Sequence, residues 1–157
     1  GPLDGSTSGH VDGTGTTARF TLINALALDP STGDIIAVEN SHYVRRITPA
    51  GVVTTIAGNG TNVSSDGPAL SAGIPFPYGV AVAPDGTIYI SSEGDHSIKK
   101  LSGGVVTTIA GNPGFSGWVD GSGTTARFFQ PRRMVYNTID NSLYVIDQQD
   151  LVVRKIV

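Results

Sequence analysis

Val52-Val53-Thr54-Thr55-Ile56-Ala57-Gly58 returns letter for letter as Val105-Val106-Thr107-Thr108-Ile109-Ala110-Gly111, 53 residues later. Two identical heptapeptides at that spacing mark an internal repeat, and periods of this size belong to arrays of small structural units. A second pair agrees. Asp12-Gly13-Thr14-Gly15-Thr16-Thr17-Ala18-Arg19-Phe20 recurs as Asp120-Gly121-Ser122-Gly123-Thr124-Thr125-Ala126-Arg127-Phe128, an offset of 108, or two periods of 54.

Around these anchors the second unit is the clearest template. Tyr78-Gly79-Val80-Ala81-Val82-Ala83 reads as strand one, and Pro84-Asp85-Gly86 as a turn with Gly supplying positive φ. Thr87 to Ser91, Ser97 to Leu101 and Val105 to Ile109 follow as strands two, three and four, separated by Glu93-Gly94-Asp95-His96 and Ser102-Gly103-Gly104. Four strands joined by short turns make an antiparallel meander. The first unit has the same order in Ala25 to Leu28, Asp34 to Val38, Tyr43 to Ile47 and Val52 to Ile56. The third gives Arg133 to Tyr136, Ser142 to Ile146 and Val152 to Ile156, with no counterpart of the heptapeptide before Val157.

A lone four-stranded sheet cannot bury both of its faces, so units of this length must stack, and radial stacking produces a β-propeller. The expected fold is all-β: about three four-stranded antiparallel blades, the third lacking its outer strand, forming half of a six-bladed ring. Small residues in strand one suit the crowded inner strand, and the heptapeptide is expected to be the outermost. The expected boundaries are 7–60, 61–113 and 114–157. Gly1 to Ser6 resembles the remnant of a removed affinity tag, so 1–6 is set aside and 7–157 taken as an excised propeller segment.

The motifs Asp-Gly-Xaa-Gly-Xaa-Xaa-Ala-Arg-Phe, Leu143-Tyr144-Val145-Ile146-Asp147, Val153-Arg154-Lys155-Ile156 and Gly-Val-Val-Thr-Thr-Ile-Ala-Gly together resemble the NHL repeat. That resemblance covers essentially all of 7–157 and implies four-stranded blades, commonly six to a closed propeller. It implies divergent functions: members bind RNA through a basic face, bind proteins or act as extracellular sensors, and a related lyase uses metal-bound His. Fold does not fix function here.

Composition narrows the choice. A formal net charge of −3 offers no general attraction to nucleic acid or anionic lipid, leaving only a local basic patch as a route to either. The absence of Cys excludes disulfides, thiolate chemistry and Cys-type zinc sites, and leans toward a reducing compartment. Asn59-Gly60-Thr61 and Asn62-Val63-Ser64 fit the glycosylation acceptor pattern and keep secretion open. No apolar run approaches the roughly 20 residues that cross a bilayer, so no membrane partner is expected.

Candidate chemistry is sparse. Asp12, Asp66 and Asp120 supply one acid per unit, which suits a turn in which Asp accepts backbone N–H bonds better than a calcium loop. Arg19 and Arg127 beside Phe20 and Phe128 are expected to tie one blade to the next. His42 and His96 occupy the turn between strands two and three, where a structural His is expected. A zinc site there lacks a third ligand, because the third unit has Asp150 or Leu151. No nucleophile elbow, His-Glu-Xaa-Xaa-His or phosphate loop occurs. The most informative departure is Pro131-Arg132-Arg133-Met134, where unit two has Pro77-Tyr78-Gly79-Val80. Arg132 and Arg133 near a channel mouth suit a carboxylate, phosphate or acidic loop. With Tyr78, Phe76 and Trp118 as aromatic anchors, and His42 and His96 alongside, they are the expected binding residues.

The expected function is a non-catalytic scaffold for protein or peptide binding or self-assembly, with no metal or cofactor, assembling as a homodimer that completes the ring. RNA binding is one alternative, because Arg45, Arg46, Lys99, Lys100, Arg154 and Lys155 align on strand three. A metal-dependent propeller enzyme is the other.

Overall fold

The computed structural model describes residues 8–149 and 151–157, so the proposed tag remnant at 1–6 lies outside the described residues. The first sheet comprises β1 (Gly13–Thr14), β2 (Ile23–Leu28), β3 (Ile35–Glu39), β4 (Tyr43–Ile47) and β5 (Val52–Ala57). The second comprises β6 (Gly67–Pro68), β7 (Pro77–Val82), β8 (Ile88–Ser92), β9 (Ser97–Ser102) and β10 (Val105–Ala110). The third contains β11 (Pro131–Asn137), β12 (Ser142–Asp147) and β13 (Val152–Ile156). Strands β2 to β5, β7 to β10 and β11 to β13 each form an antiparallel meander, and together the sheets are three blades of a β-propeller.

Alternation along each strand decides which blade a side chain meets, because successive side chains leave opposite faces of a sheet. In β8, Ile88 and Ile90 enter the apolar layer shared with blade one, where Ile36, Val38, Val44 and Val80 are buried. Tyr89, between them, turns to blade three and stacks on Tyr136 at 5.8 Å between ring centroids. The second layer, between blades two and three, holds Ala81, Ile98, Phe128, Leu143 and Val145. The inner strands approach so closely that a Cβ on Gly79 would stand 2.0 Å from the Arg132 carbonyl oxygen. That space is taken by a hydrogen-bond relay: Gly79 N–H donates to Ser91 Oγ at 2.7 Å, and the hydroxyl donates to the Arg132 carbonyl at 2.5 Å.

One expectation is corrected. The heptapeptide is the fourth strand, but it is not outermost. The Asp-Gly loop that leads into each blade first pairs with that blade's own fourth strand, Gly13 opposite Val53 in blade one and Gly67 opposite Val106 in blade two. Strand order is therefore β1-β5-β4-β3-β2 and β6-β10-β9-β8-β7. The third sheet reads β11-β12-β13, so among the described residues no strand lies beside the outer edge of β13.

Candidate functional site

The sequence singles out the rim where the chain enters the inner strands, and the structure assembles part of it. Arg132 on β11 lies over the Tyr78 ring at 4.7 Å, donates to Glu93 Oε1 at 3.0 Å and to Gln148 Oε1 at 2.7 Å. Three partners fix this guanidinium, so it joins blade three to the Glu93 turn of blade two and is not a free anion receptor. Arg133, one residue on, lies in the stretch between Pro131 and Met134 where the register of β11 shifts. It is exposed, has no hydrogen-bond or ion-pair partner among the described residues, and borders a concavity of about 230 Å³ between the three inner strands. Asn24, Gly79 and Met134 share that lining. A guanidinium carries five donors, the chemistry that suits a carboxylate or phosphate.

His42 and His96 do different work. Both have left-handed backbone, at φ 71° and 62°, and each reaches into the following blade. His42 Nδ1 accepts from the Phe76 N–H at 3.0 Å with its ring edge-on to Phe76, and His96 Nδ1 accepts from the Gln130 N–H at 3.3 Å beside Phe129. Burial holds the His42 imidazole below its ordinary pKa, in keeping with an acceptor nitrogen that carries no proton. The third-blade equivalent, Leu151, keeps the left-handed backbone at φ 54°. Asp150, weighed as the alternative there, lies outside the described residues. Among the described residues no three His, Asp or Glu side chains converge as a metal-binding group.

Trp118 does not join this rim. It lies with Val153, Arg154 and Val157 along a separate cleft of about 980 Å³ beside β13, on the far side of blade three from Arg133. The connecting segment passes the outer strand edge before turning inward, and Trp118 belongs to its outer part.

The basic residues of strand three are also redistributed. Arg45 is fully buried, with Nη1 2.5 Å from Glu39 Oε1 and Nη2 2.8 Å from Asp12 Oδ1, and its guanidinium covers Phe20. Lys99 is equally buried, 3.3 Å from Asp66 and 3.5 Å from Asp95. Arg154 repeats the arrangement with Asp120 at 2.7 Å and Asp147 at 3.4 Å, over Phe128. In blades one and three the inner carboxylate ends strand two. In blade two that position is Ser92, and Asp95 in the following turn supplies the charge to the shorter Lys. Half of the expected basic stripe is thereby neutralised inside the blades, and Arg46 and Lys155 pair with Asp34 and Asp140. It does not form a continuous cationic face.

The repeated Asp residues are the outer members of these nodes. Asp12 accepts the Thr55 N–H at 3.0 Å and hydroxyl at 2.8 Å, and Asp66 treats Thr108 the same way at 2.8 Å each. Partial burial opposes their ionisation, but these hydrogen bonds and the adjacent cation outweigh it, and both carboxyls lie below the ordinary range. The expectation that Asp accepts backbone N–H bonds therefore holds for Asp12 and Asp66, with a donor from strand four, whereas Asp120 accepts from the Arg154 guanidinium. Arg19 and Arg127 were expected to tie one blade to the next, and the side-chain bonds described for them are local. Arg19 donates to the carbonyls of Thr16 and Ala18, and Arg127 to those of Thr124, Thr125 and Ala126, so each braces its own 3₁₀ turn.

No protein-family model and no curated protein sequence matches the chain. Solved structures do. A protein of unknown function from Bacteroides thetaiotaomicron VPI-5482 superposes with a TM-score of 0.77 at 24% identity, over 83% of this chain and 34% of that one. An auxiliary nutrient binding protein from Bacteroides ovatus ATCC 8483 gives 0.68 at 18% identity, over 99% and 57%. Virginiamycin B lyase from Staphylococcus aureus gives 0.58 at 20% identity, over 86% and 38%. The chain thus spans between a third and somewhat over half of these structures, and at such identities the likeness establishes the fold alone.

Proposed function

We propose that the chain is a non-catalytic propeller scaffold of the NHL-repeat kind that works through protein contacts, the first of them with a second copy of itself. The observation that carries this reading is the complementarity of its two end faces. Strand pairing sets Leu26 of β2 in the place of Val80 of β7, opposite Ala37 and Ile90 respectively. Val80 packs on blade one, whereas Leu26 and Leu28 are exposed. At the other end Val135 of β11 takes the place of Ala81, which packs on blade three, and Val135 and Val153 are exposed. Each end therefore presents the apolar layer that the other would bury.

Contiguous apolar patches of this kind mark interaction surfaces. Joining the ends of two copies is a heterologous contact, which closes only if the rotation permits. Two arcs of three blades close at six, the number common in the repeats this chain resembles. The likeness to nutrient binding proteins supports a binding role, and Arg133 over the axial concavity gives such a ring one place for an acidic group.

Sedimentation equilibrium tests the assembly. The expected mass is twice the 16.2 kDa of the chain, returning to 16.2 kDa in Leu26→Asp/Leu28→Asp with the strand content unchanged. A monodisperse monomer for the unaltered chain rejects the reading.

A further inference from the structure

His10 brings an imidazole into the outer joint of blade one, and the other two blades build that joint without one. It stands two residues before Asp12, where Ser64 stands before Asp66 and Trp118 before Asp120. Its ring lies on the Tyr43 ring at 3.5 Å between centroids, with the planes 12° apart. Nδ1 is 3.2 Å from Arg45 Nη1, and Nε2 is 3.1 Å from Thr55 Oγ1. One half-buried side chain thus meets Tyr43 and Arg45 of β4 and Thr55 of β5, and holds the segment entering the blade against both strands.

The partners dictate where the imidazole proton sits. A guanidinium only donates, so Nδ1 must be a bare acceptor. Thr55 Oγ1 gives its single proton to Asp12 Oδ1 at 2.8 Å, so it offers His10 only lone pairs, and Nε2 must carry the hydrogen. The joint therefore closes around the neutral Nε2–H tautomer. A second proton can enter only at Nδ1, where it removes the acceptor from Arg45 and sets two cations 3.2 Å apart. Arg45 Nη1 keeps Glu39 and the Arg19 carbonyl, so the guanidinium stays and the imidazole is displaced. Burial is the largest influence on the ring and Arg45 the next, both against protonation. Glu39 of β3 and Asp12 of its own segment work the other way and do not outweigh them, so the folded pKa lies below the ordinary value.

We infer that His10 is a proton-operated latch: acidification opens the outer joint of blade one, between residues 9–12 and strands β4 and β5, while the matching joint of blade two stays closed. Once the joint opens, His10 regains its ordinary pKa of 6.5. Closure is thus complete above that value and weakens as pH falls through it toward the lower folded value. Blade two supplies the contrast. Ser64 Oγ accepts from Lys99 Nζ at 3.0 Å and donates to Asp95, and Ser97 takes the place of Tyr43. A hydroxyl gains no proton in this range, so Ser64 keeps its contacts where His10 loses them. This regulation goes beyond the scaffold reading and does not depend on it.

Two amides report on the two joints. Thr55 N–H donates to Asp12 Oδ2 at 3.0 Å in blade one, and Thr108 N–H donates to Asp66 Oδ2 at 2.8 Å in blade two. Hydrogen exchange of the 157-residue chain, followed residue by residue at pH 7.5 and 5.5 and corrected for the intrinsic rate, compares them directly. Protection of Thr55 should fall relative to Thr108 by up to about ten-fold, the limit set by a group that titrates near 6.5 in the open joint. His10→Ser installs the blade-two residue and should abolish the difference. Nitrogen NMR of the His10 ring in the unaltered chain gives a readout that needs no variant, and should show the Nε2–H tautomer at pH 7.5. Parallel changes at Thr55 and Thr108, a Thr55 drop that survives His10→Ser, or an Nδ1–H tautomer overturns the inference.

Discussion

Arg45→Met is expected to cost more stability than Glu39→Gln, although both break the same 2.5 Å contact. Glu39 is fully buried and faces Arg45 as its one cationic partner among the described residues, its other side-chain bonds there being to Thr21 N–H at 3.1 Å, Thr21 Oγ1 at 2.8 Å and Ser41 Oγ at 3.1 Å. Removing Arg45 strands a buried charge, for which about 3–5 kcal/mol is usual. Arg45 in Glu39→Gln still has Asp12 at 2.8 Å and the carbonyls of Val11 and Arg19, so its charge stays compensated. That loss should be nearer the roughly 1.5–3 kcal/mol of a charge-assisted hydrogen bond. In the double variant no unpaired buried charge remains, and the cost should fall below that of Arg45→Met alone, leaving a coupling of about 1–3 kcal/mol. Urea unfolding followed by circular dichroism measures all four species. A slope of about 1–3 kcal/mol/M turns 3–5 kcal/mol into a midpoint shift of at least about 1 M. Additive single effects, or a larger loss for Glu39→Gln, would show that the node is not organised around a buried carboxylate.

Further outcomes follow from the blade junctions. His10, stacked on Tyr43 at 3.5 Å within blade one, and His42 are both held below their ordinary pKa, chiefly by burial, so the unfolded chain binds protons that the folded one refuses. Their contribution is complete above the unfolded value near 6.5 and is lost as pH falls through it toward the folded values, so the urea midpoint should drop between pH 7.5 and 5.5. His42→Asn, which tolerates left-handed backbone and keeps an acceptor, should flatten that slope, and an unchanged slope removes His42 from the account. Gly79→Ala should cost about 1–3 kcal/mol, because its Cβ must push the Arg132 carbonyl and the Ser91 hydroxyl aside; a variant as stable as the parent would mean the inner strands are not in contact.

The repeat, the strand order within blades and the propeller architecture were legible because they rest on local signals: identity at a fixed period, alternation and turn chemistry. The fifth strands were not. Gly13–Thr14 is two residues long and its partners, Val53 and Val52, lie some 40 residues downstream, so nothing in its own neighbourhood distinguishes it from a turn. The same distance hid the nodes. Alternation says that Arg45 and Arg46 point to opposite faces, but not that the first meets Asp12 and Glu39. A signal was available in the co-occurrence, in all three units, of an Asp before Gly and a basic residue in strand three. Of the rim residues, Tyr78 and Arg132 were rightly placed together, since they are one period apart. Trp118 was misplaced because a loop's length does not reveal where along its path a side chain falls.

The His clamps have a consequence for how such chains grow. His42 and His96 grip the next blade by a backbone N–H, of Phe76 in one case and Gln130 in the other. The receiving position can therefore change its side chain without losing the joint. A tandem duplication of one blade's coding segment would carry the gripping imidazole with it and meet a backbone N–H donor in the main chain that follows.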